Sequence, residues 1–194
     1  MQTVKVEGFH GTAFKNVDEI LKNGFKSNYR PDHWLGQGIY FYSDYDLAFW
    51  WTKTKFKSKN GTGCAIIHSA LECYENTWLD LDTVNGVEYF QREVEEILSV
   101  TSHLTSLKFK TSKGQDDETR IKNFCFALDL LKKFRDIQLI AMTFKKNSPS
   151  YADRNIYRFE QLFFTLPLDF VYQERQICST SNVPIVSKIK VFPS

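Results

Sequence analysis

The sequence lacks a long apolar run: nowhere in its 194 residues is there a stretch close to the roughly 18 apolar residues that a membrane-spanning helix needs. Its first residues, MQTVKVE, contain no apolar segment of the signal-peptide type. The formal net charge is only +2, which is too small to indicate a nucleic-acid partner by itself. These absences argue against a membrane protein, a membrane partner and export by a signal peptide.

The sequence also lacks any paired arrangement of its four cysteines. Cys64, Cys73, Cys125 and Cys178 are far apart, and none belongs to a C-x-x-C or a Cys/His cluster with zinc spacing. Each lies in or beside an apolar stretch, as buried free thiols do. We therefore expect no metal, and a protein of the reducing cytoplasm.

The composition is that of a globular protein, with 42% hydrophobic and 25% charged residues. The length fits one domain over residues 1–194, and the hydrophobic patterning predicts the α+β class. The predicted strands are Val4–Phe9, Gly38–Tyr42, Cys64–Leu71, Thr77–Leu81, Ile137–Phe144, Phe170–Thr180 and Ile185–Phe192. One predicted helix begins after Asn16 and ends at Gly24, and the others cover Asp44–Thr52 with Ser43 as its cap, Val87–Val100 and Thr119–Arg135. Residues 155–166 fit no single pattern.

Four short segments near the N-terminus carry a functional signal. A predicted strand ends at His10-Gly11-Thr12, a short helix ends at Gly24-Phe25, the run GQGIYF follows at residues 36–41, and Ala48 lies in the next helix. In this order and spacing the segments resemble the ADP-ribosyltransferase superfamily, within it the poly(ADP-ribose) polymerase-like branch. That branch has Ser-x-x-Ala in the helix, and here the serine is shifted to Ser43.

The resemblance implies a fold, a co-substrate and a set of site residues. It implies an ADP-ribosyltransferase-like split β-sheet core with N-terminal helices and a helical mid-chain insertion, and NAD as co-substrate. It further implies that His10 bonds the adenosine ribose, that Gly11 holds the nicotinamide amide and that Tyr40 stacks on the nicotinamide ring. The other cofactor-binding positions that it implies are Thr12, Gly38, Trp50 or Trp51, and, in the loop over the adenosine side, Arg30 and His33.

The third motif of that superfamily lies at the start of a late strand, where this chain has QERQIC at residues 173–178. Glu174 and Gln176 are two residues apart, so both point to the same face of a strand. If Glu174 is catalytic, its carboxylate stabilises the cation directly. If Gln176 is the catalytic residue instead, its side-chain amide bonds a ribose hydroxyl but carries no charge. The sequence leaves both open, together with a solvated charge at position 174.

Cleavage of the nicotinamide–ribose bond passes through an oxocarbenium-like cation, as glycoside hydrolysis does. Such a site needs a shaped pocket, an aromatic face for the pyridinium ring and a polar group near the ribose hydroxyls. Aromatic residues form 15% of the chain and supply such faces.

Two groups of residues are candidates for contact with an acceptor. Lys53, Lys55 and Lys57 belong to a basic run that either attracts a polyanion or is a solvated connector. Phe170 and Tyr172 precede the third motif and offer rings on which a base could stack.

The sequence therefore predicts a mono-ADP-ribosyltransferase that uses NAD and modifies a macromolecule, with nucleic acid slightly favoured over protein. Its small size and the resemblance suggest a bacterial or phage toxin or defence effector, with an antitoxin as a possible partner. The alternatives are an NAD glycohydrolase and an inactive module that binds NAD or ADP-ribose.

Overall fold

A computed structural model describes residues 2–29, 33–56, 63–101, 117–146, 172–180 and 185–192. Within these ranges the chain has both helices and strands, as the α+β class requires. The strands are β1 (Thr3–Ala13), β2 (Ile39–Tyr42), β3 (Cys64–Tyr74), β4 (Trp78–Asp80), β5 (Leu139–Lys146), β6 (Tyr172–Ser179) and β7 (Ile185–Phe192). The α-helices are α1 (Val17–Asn23), α2 (Tyr45–Lys55), α3 (Val84–Thr101) and α4 (Asp117–Arg135).

The seven described strands form one mixed sheet in the order β4-β5-β6-β2-β1-β3-β7. Among them, β4 and β5 pair in parallel and the other neighbours are antiparallel. β1 pairs with β3 along its whole length, from Thr3 opposite Tyr74 to Ala13 opposite Cys64. By contrast, β1 meets β2 at one register pair, Phe9 opposite Tyr42. The sheet therefore consists of two halves that are joined at a narrow junction.

A glycine allows the close approach at this junction. A Cβ atom at Gly8 would lie 2.8 Å from the Cβ of Phe41 on β2 and 2.9 Å from Cδ1 of Leu71 on β3. Any larger residue at this position would push β1 away from its neighbours.

The hydrophobic core has two parts, one on each face of the half-sheet β4-β5-β6-β2. Ile140 of β5 and Cys178 of β6, which are register partners, belong to the part under α3 and α4. The residues that precede them in the chain, Leu139 and Ile177, belong to the other part. This alternation along β5 and β6 is the period of two that a sheet covered on both faces requires.

The described helices lie where the sequence predicts them, but α2 continues to Lys55 rather than Thr52 and α3 begins at Val84 rather than Val87. One cap also differs. The N-cap of α2 is Asp44, whose carboxylate accepts a hydrogen bond from Leu47 N at 3.0 Å, so the assignment of Ser43 as cap is wrong. Ser43 instead donates to the Arg175 carbonyl at 3.3 Å. The stop of α1 is confirmed at Gly24, which has φ 77°.

All four cysteines are buried free thiols. Among the described helices, none has the length and apolarity that crossing a membrane would require.

Candidate functional site

A cleft of about 350 Å³ opens beside the junction of the two sheet halves. β1 and β2 line it from the two sides, and α2, β6 and the loop between α1 and β2 complete its wall. The lining residues are His10, Gly11, Lys26, Ser27, Asn28, His33, Trp34, Gly38, Ile39, Tyr40, Phe41, Tyr42, Trp51 and Gln176.

His10 is held in one orientation by its neighbours. Its Nδ1 lies 2.8 Å from the Tyr40 carbonyl oxygen, and a carbonyl only accepts, so Nδ1 carries the proton. Its ring makes edge contacts with Phe25 and Phe41, at centroid distances of 4.7 and 5.7 Å. Desolvation lowers the pKa of His10, although the hydrogen bond to Tyr40 partly opposes this effect. Burial therefore favours the neutral imidazole, in which Nε2 is the acceptor nitrogen.

Tyr40 fixes the loop that precedes it. Its hydroxyl accepts a hydrogen bond from Leu35 N and donates one to the Gly36 carbonyl, both at 2.7 Å. Burial raises the pKa of Tyr40 well above its ordinary value, so the phenol stays protonated and keeps its donor. His33 packs at an angle against the Tyr40 ring, with centroids 5.1 Å apart.

The two glycines of this loop are required by close contacts. Gly36 has φ 73°, and a Cβ there would overlap Oδ1 of Asp129. A Cβ at Gly38 would overlap Sγ of Cys178 and would lie 2.7 Å from the Ser179 carbonyl oxygen. The Gly-x-Gly pattern thus lets the loop lie directly against α4 and β6.

Helix α4 anchors the same loop from outside. Lys132, whose side chain is only 8% exposed, donates to the carbonyls of Leu35 at 2.7 Å and Gln37 at 2.5 Å. Asp129 accepts from Gln37 N at 2.6 Å, and it lies 3.5 Å from the Lys132 ammonium. This pair therefore satisfies three backbone groups of a loop that has no regular secondary structure.

The two polar residues of the third motif, Glu174 and Gln176, differ in how far they are buried. Gln176 lies opposite Tyr42 of β2 and lines the cleft. Glu174 lies opposite Phe144 of β5 and is 1% exposed. The Gln176 side-chain amide donates to the Glu174 carboxylate. The structure therefore brings Gln176 to the cleft wall and places Glu174 behind it.

Helix α2 supplies one wall of the cleft and packs tightly on β1. Trp51 lines the cleft and lies 6.3 Å from Tyr42, measured between ring centroids. A Cβ at Gly11 would overlap Oγ1 of Thr52, so Gly11 is also a packing requirement of α2 on β1. Lys53 is exposed, with its ammonium 4.6 Å from the Phe49 ring centroid.

Most of the residues implied by the resemblance meet in this cleft. Those that line it are His10, Gly11, His33, Gly38, Tyr40, Trp51 and Gln176. Thr12, Trp50 and Glu174 do not line it: Thr12 is buried and accepts a hydrogen bond from Asn16 at 3.2 Å. Lys53 and Lys55 are exposed on α2 and do not line the cleft either. Arg30, Lys57 and Phe170 lie outside the described residues, as does the side chain of Tyr172.

Sequence reasoning missed the residues that form the support of the loop. Lys132 and Asp129 are 92 to 97 residues from their partners, and no local pattern marks a lysine of a helix as buried. Trp34 and Tyr42 were also missed as cleft residues, although both adjoin the segments that carry the resemblance. Their aromatic character next to the Gly-x-Gly run was the available signal.

Comparisons with known proteins give a distant sequence relative. The chain is 33% identical over 111 residues to the uncharacterized protein MJ0359 of Methanocaldococcus jannaschii. The matched region is 56% of this chain and 52% of that protein, so the chain spans about half the length of the curated relative it matches. No family model matches the chain. No solved structure matches it at a significant level.

Proposed function

We propose that this chain is an NAD-dependent ADP-ribosyltransferase, which cleaves the nicotinamide–ribose bond and transfers one ADP-ribose to a macromolecule. The observation that carries the proposal is the cleft: His10, Tyr40 and Gln176 come from three distant segments and all line it. The narrow junction of the sheet supports the proposal as well, because the resemblance implies a split sheet core.

The chemistry of five lining residues fits parts of NAD. The acceptor nitrogen Nε2 of His10 suits a ribose hydroxyl, which donates. Tyr40, Tyr42 and Trp51 offer aromatic faces, and a desolvated pyridinium cation near such faces gains roughly 1–2 kcal/mol. The side-chain oxygen of Gln176 carries partial negative charge for a ribose hydroxyl or a developing oxocarbenium ion.

The proposed acceptor is a macromolecule. The preference for nucleic acid over protein rests only on the basic run that contains Lys53, Lys55 and Lys57. Lys53 and Lys55 lie exposed in the last turn of α2, the helix that also carries Trp51. Such a position is compatible with contact to a polyanion, but equally with a solvated helix end. The acceptor class is therefore an outcome of the experiment below, as is an effector role with an antitoxin partner.

The test is an incubation of the purified chain with NAD that carries one label on nicotinamide and another on the adenylate phosphate. We expect nicotinamide release that depends on added cell extract, with the phosphate label joined to material that protease, DNase or RNase removes. Tyr40→Ala should abolish release, and Tyr74→Ala, at an exposed tyrosine of β3, should not.

Three other results would replace the proposal. Nicotinamide release without extract would indicate a glycohydrolase. Saturable NAD binding without release would indicate a binding module. If the chain neither binds NAD nor releases nicotinamide, NAD chemistry in this cleft is excluded.

A further inference from the structure

The contact between the two polar residues of the third motif defines the orientation of one of them. The bond joins the Gln176 side-chain nitrogen, which only donates, to a Glu174 carboxyl oxygen. The Gln176 amide oxygen takes no part in this bond. The contact with Glu174 therefore favours one of the two orientations of the side-chain amide.

From this geometry we infer that Glu174 is a positioning residue: it acts through Gln176, by holding the amide so that its oxygen points at the ribose. The inference rests on the proposed function and assigns separate roles to the two residues. Glu174 is 1% exposed and absent from the cleft wall, so it has no surface for the substrate, whereas Gln176 lines the wall.

The neighbours of this pair favour a fixed geometry. Both residues lie on β6, which pairs on both sides, with β2 at Gln176 and with β5 at both positions. The residue between them, Arg175, donates to Asp80 at 2.8 Å and to Asp82, so it ties β6 to the segment around β4. The strand that carries the pair is therefore held on each side, and the remaining freedom is that of the Gln176 side chain.

The energetic reason for such a device is rotamer entropy. A free glutamine side chain must be ordered when the cation forms, and this cost corresponds to about 10-fold to 30-fold in rate. A partner that orders the side chain beforehand removes that cost from the barrier. The carboxylate behind the amide also disfavours the flipped state, in which amide hydrogens would face a cation.

The experiment compares Glu174→Gln with Glu174→Met, with Glu72→Gln as a control for loss of a strand carboxylate far from the cleft. Glutamine at position 174 still offers an acceptor oxygen to Gln176, whereas methionine has a similar length and offers none. We expect Glu174→Met to lower kcat for nicotinamide release about 10-fold to 30-fold, with KM for NAD nearly unchanged. Glu174→Gln should retain kcat within about fivefold, since a neutral hydrogen bond is roughly half as strong.

An equal loss of kcat in both variants would overturn the inference, because it would show that the charge of Glu174 acts on the cation directly. Full activity of Glu174→Met would also overturn it. Thermal unfolding of each variant shows whether the protein is folded, and Glu174→Gln keeps the test valid if Glu174→Met does not fold.

A second readout does not depend on activity. In protein labelled with ¹⁵N-glutamine, the side-chain signal of Gln176 is the one that disappears in Gln176→Ala. We expect this signal to shift in Glu174→Met and to stay within the bonded range in Glu174→Gln. An unchanged signal in Glu174→Met would refute the inference, even if the chain releases no nicotinamide. The absence of nicotinamide release would by itself refute only the proposed function.

Discussion

At the scale of single residues, the Tyr40 hydroxyl is a structural link as much as the edge of a binding surface. It bonds the amide of Leu35, which is fully buried, and the carbonyl of Gly36. Tyr40→Phe keeps the ring and removes both bonds, which leaves a buried donor without its partner. We expect the free energy of unfolding to fall by about 1–3 kcal/mol, measured by urea denaturation.

The control for this change is Tyr74→Phe, because Tyr74 is half-exposed on β3. Its effect should stay within about 0.5 kcal/mol. A Tyr40→Phe variant as stable as the unchanged protein would contradict the role given to the hydroxyl.

His10 gives a prediction on pH at the same scale. Desolvation lowers its pKa in the folded state below its ordinary value of 6.5, so the unfolded chain binds the proton more readily. The contribution of His10 to stability is therefore fully present above about pH 6.5 and is lost as the pH falls below that value. We expect the unfolding temperature to fall less between about pH 7.5 and pH 5 in His10→Asn than in the unchanged protein.

Asparagine is the suitable substitute because its amide can take the place of Nδ1–H in the bond to the Tyr40 carbonyl. The other three histidines, His33, His68 and His103, remain in both proteins, so the difference between the two pH profiles isolates His10. Parallel profiles would mean that the pKa of His10 is not lowered in the folded protein, so that Nε2 would become protonated, and cease to be an acceptor, as the pH falls through about 6.5.

Residue patterns predicted which side chains share a strand face, but not how deep each one lies. The spacing of two placed Glu174 and Gln176 on one face, as the structure has them. Glu174 lies opposite Phe144 and Gln176 opposite Tyr42, on strands that are distant in the chain, and no local pattern contains such neighbours. Depth is a property of the assembled sheet.

At the scale of elements, long-range pairing determines the length of β1, the strand that carries the first motif. The sequence predicts a strand over Val4–Phe9, whereas β1 continues through the His-Gly-Thr motif to Ala13. It continues because β3 pairs with it along eleven residues. The apolar periodicity of α4 was visible in the sequence, but its use of Lys132 to hold a loop was not.

The anchoring of the loop by α4 can be tested with two adjacent lysines. Lys132 is buried against the carbonyls of Leu35 and Gln37, whereas Lys133 is exposed near the Phe134 ring. Lys132→Met should free these carbonyls and raise the hydrogen-exchange rate of the amides in residues 35–38, because local opening then costs less. Lys133→Met should leave that rate unchanged.

The same two variants separate loop anchoring from general stability. We compare Lys132→Met with Lys133→Met. We expect the free energy of NAD binding, measured by titration calorimetry, to differ more between the two variants than their stability, measured as the unfolding temperature. Equal exchange rates in residues 35–38 of the two variants would show that Tyr40 and Asp129 hold the loop without the lysine.

At the scale of the whole molecule, the cleft joins two half-sheets that share one register pair. His10 and Gly11 lie on the half formed by β1, β3 and β7, whereas Tyr40 and Gln176 lie on the other half. The sequence order of the motifs predicted that these residues would meet, since it resembled a superfamily in which they do. It did not predict the order of the seven described strands, because β3, β4 and β5 lie in a middle part of the chain that has no motif of that superfamily.

A ligand in this cleft should act on both halves together. NAD at about 100 times its dissociation constant stabilises the state that binds it by about 2.7 kcal/mol. If NAD contacts His10 and Gln176 at once, short-time hydrogen exchange should slow in residues 10–13 of β1 and in residues 175–178 of β6 to a similar degree. The distal end of β3, residues 72–74, should show no such change at these times, which makes it the internal reference. Slower exchange confined to one half would mean that the ligand binds one wall only, and the assignment of the catalytic cleft to the junction would then be wrong.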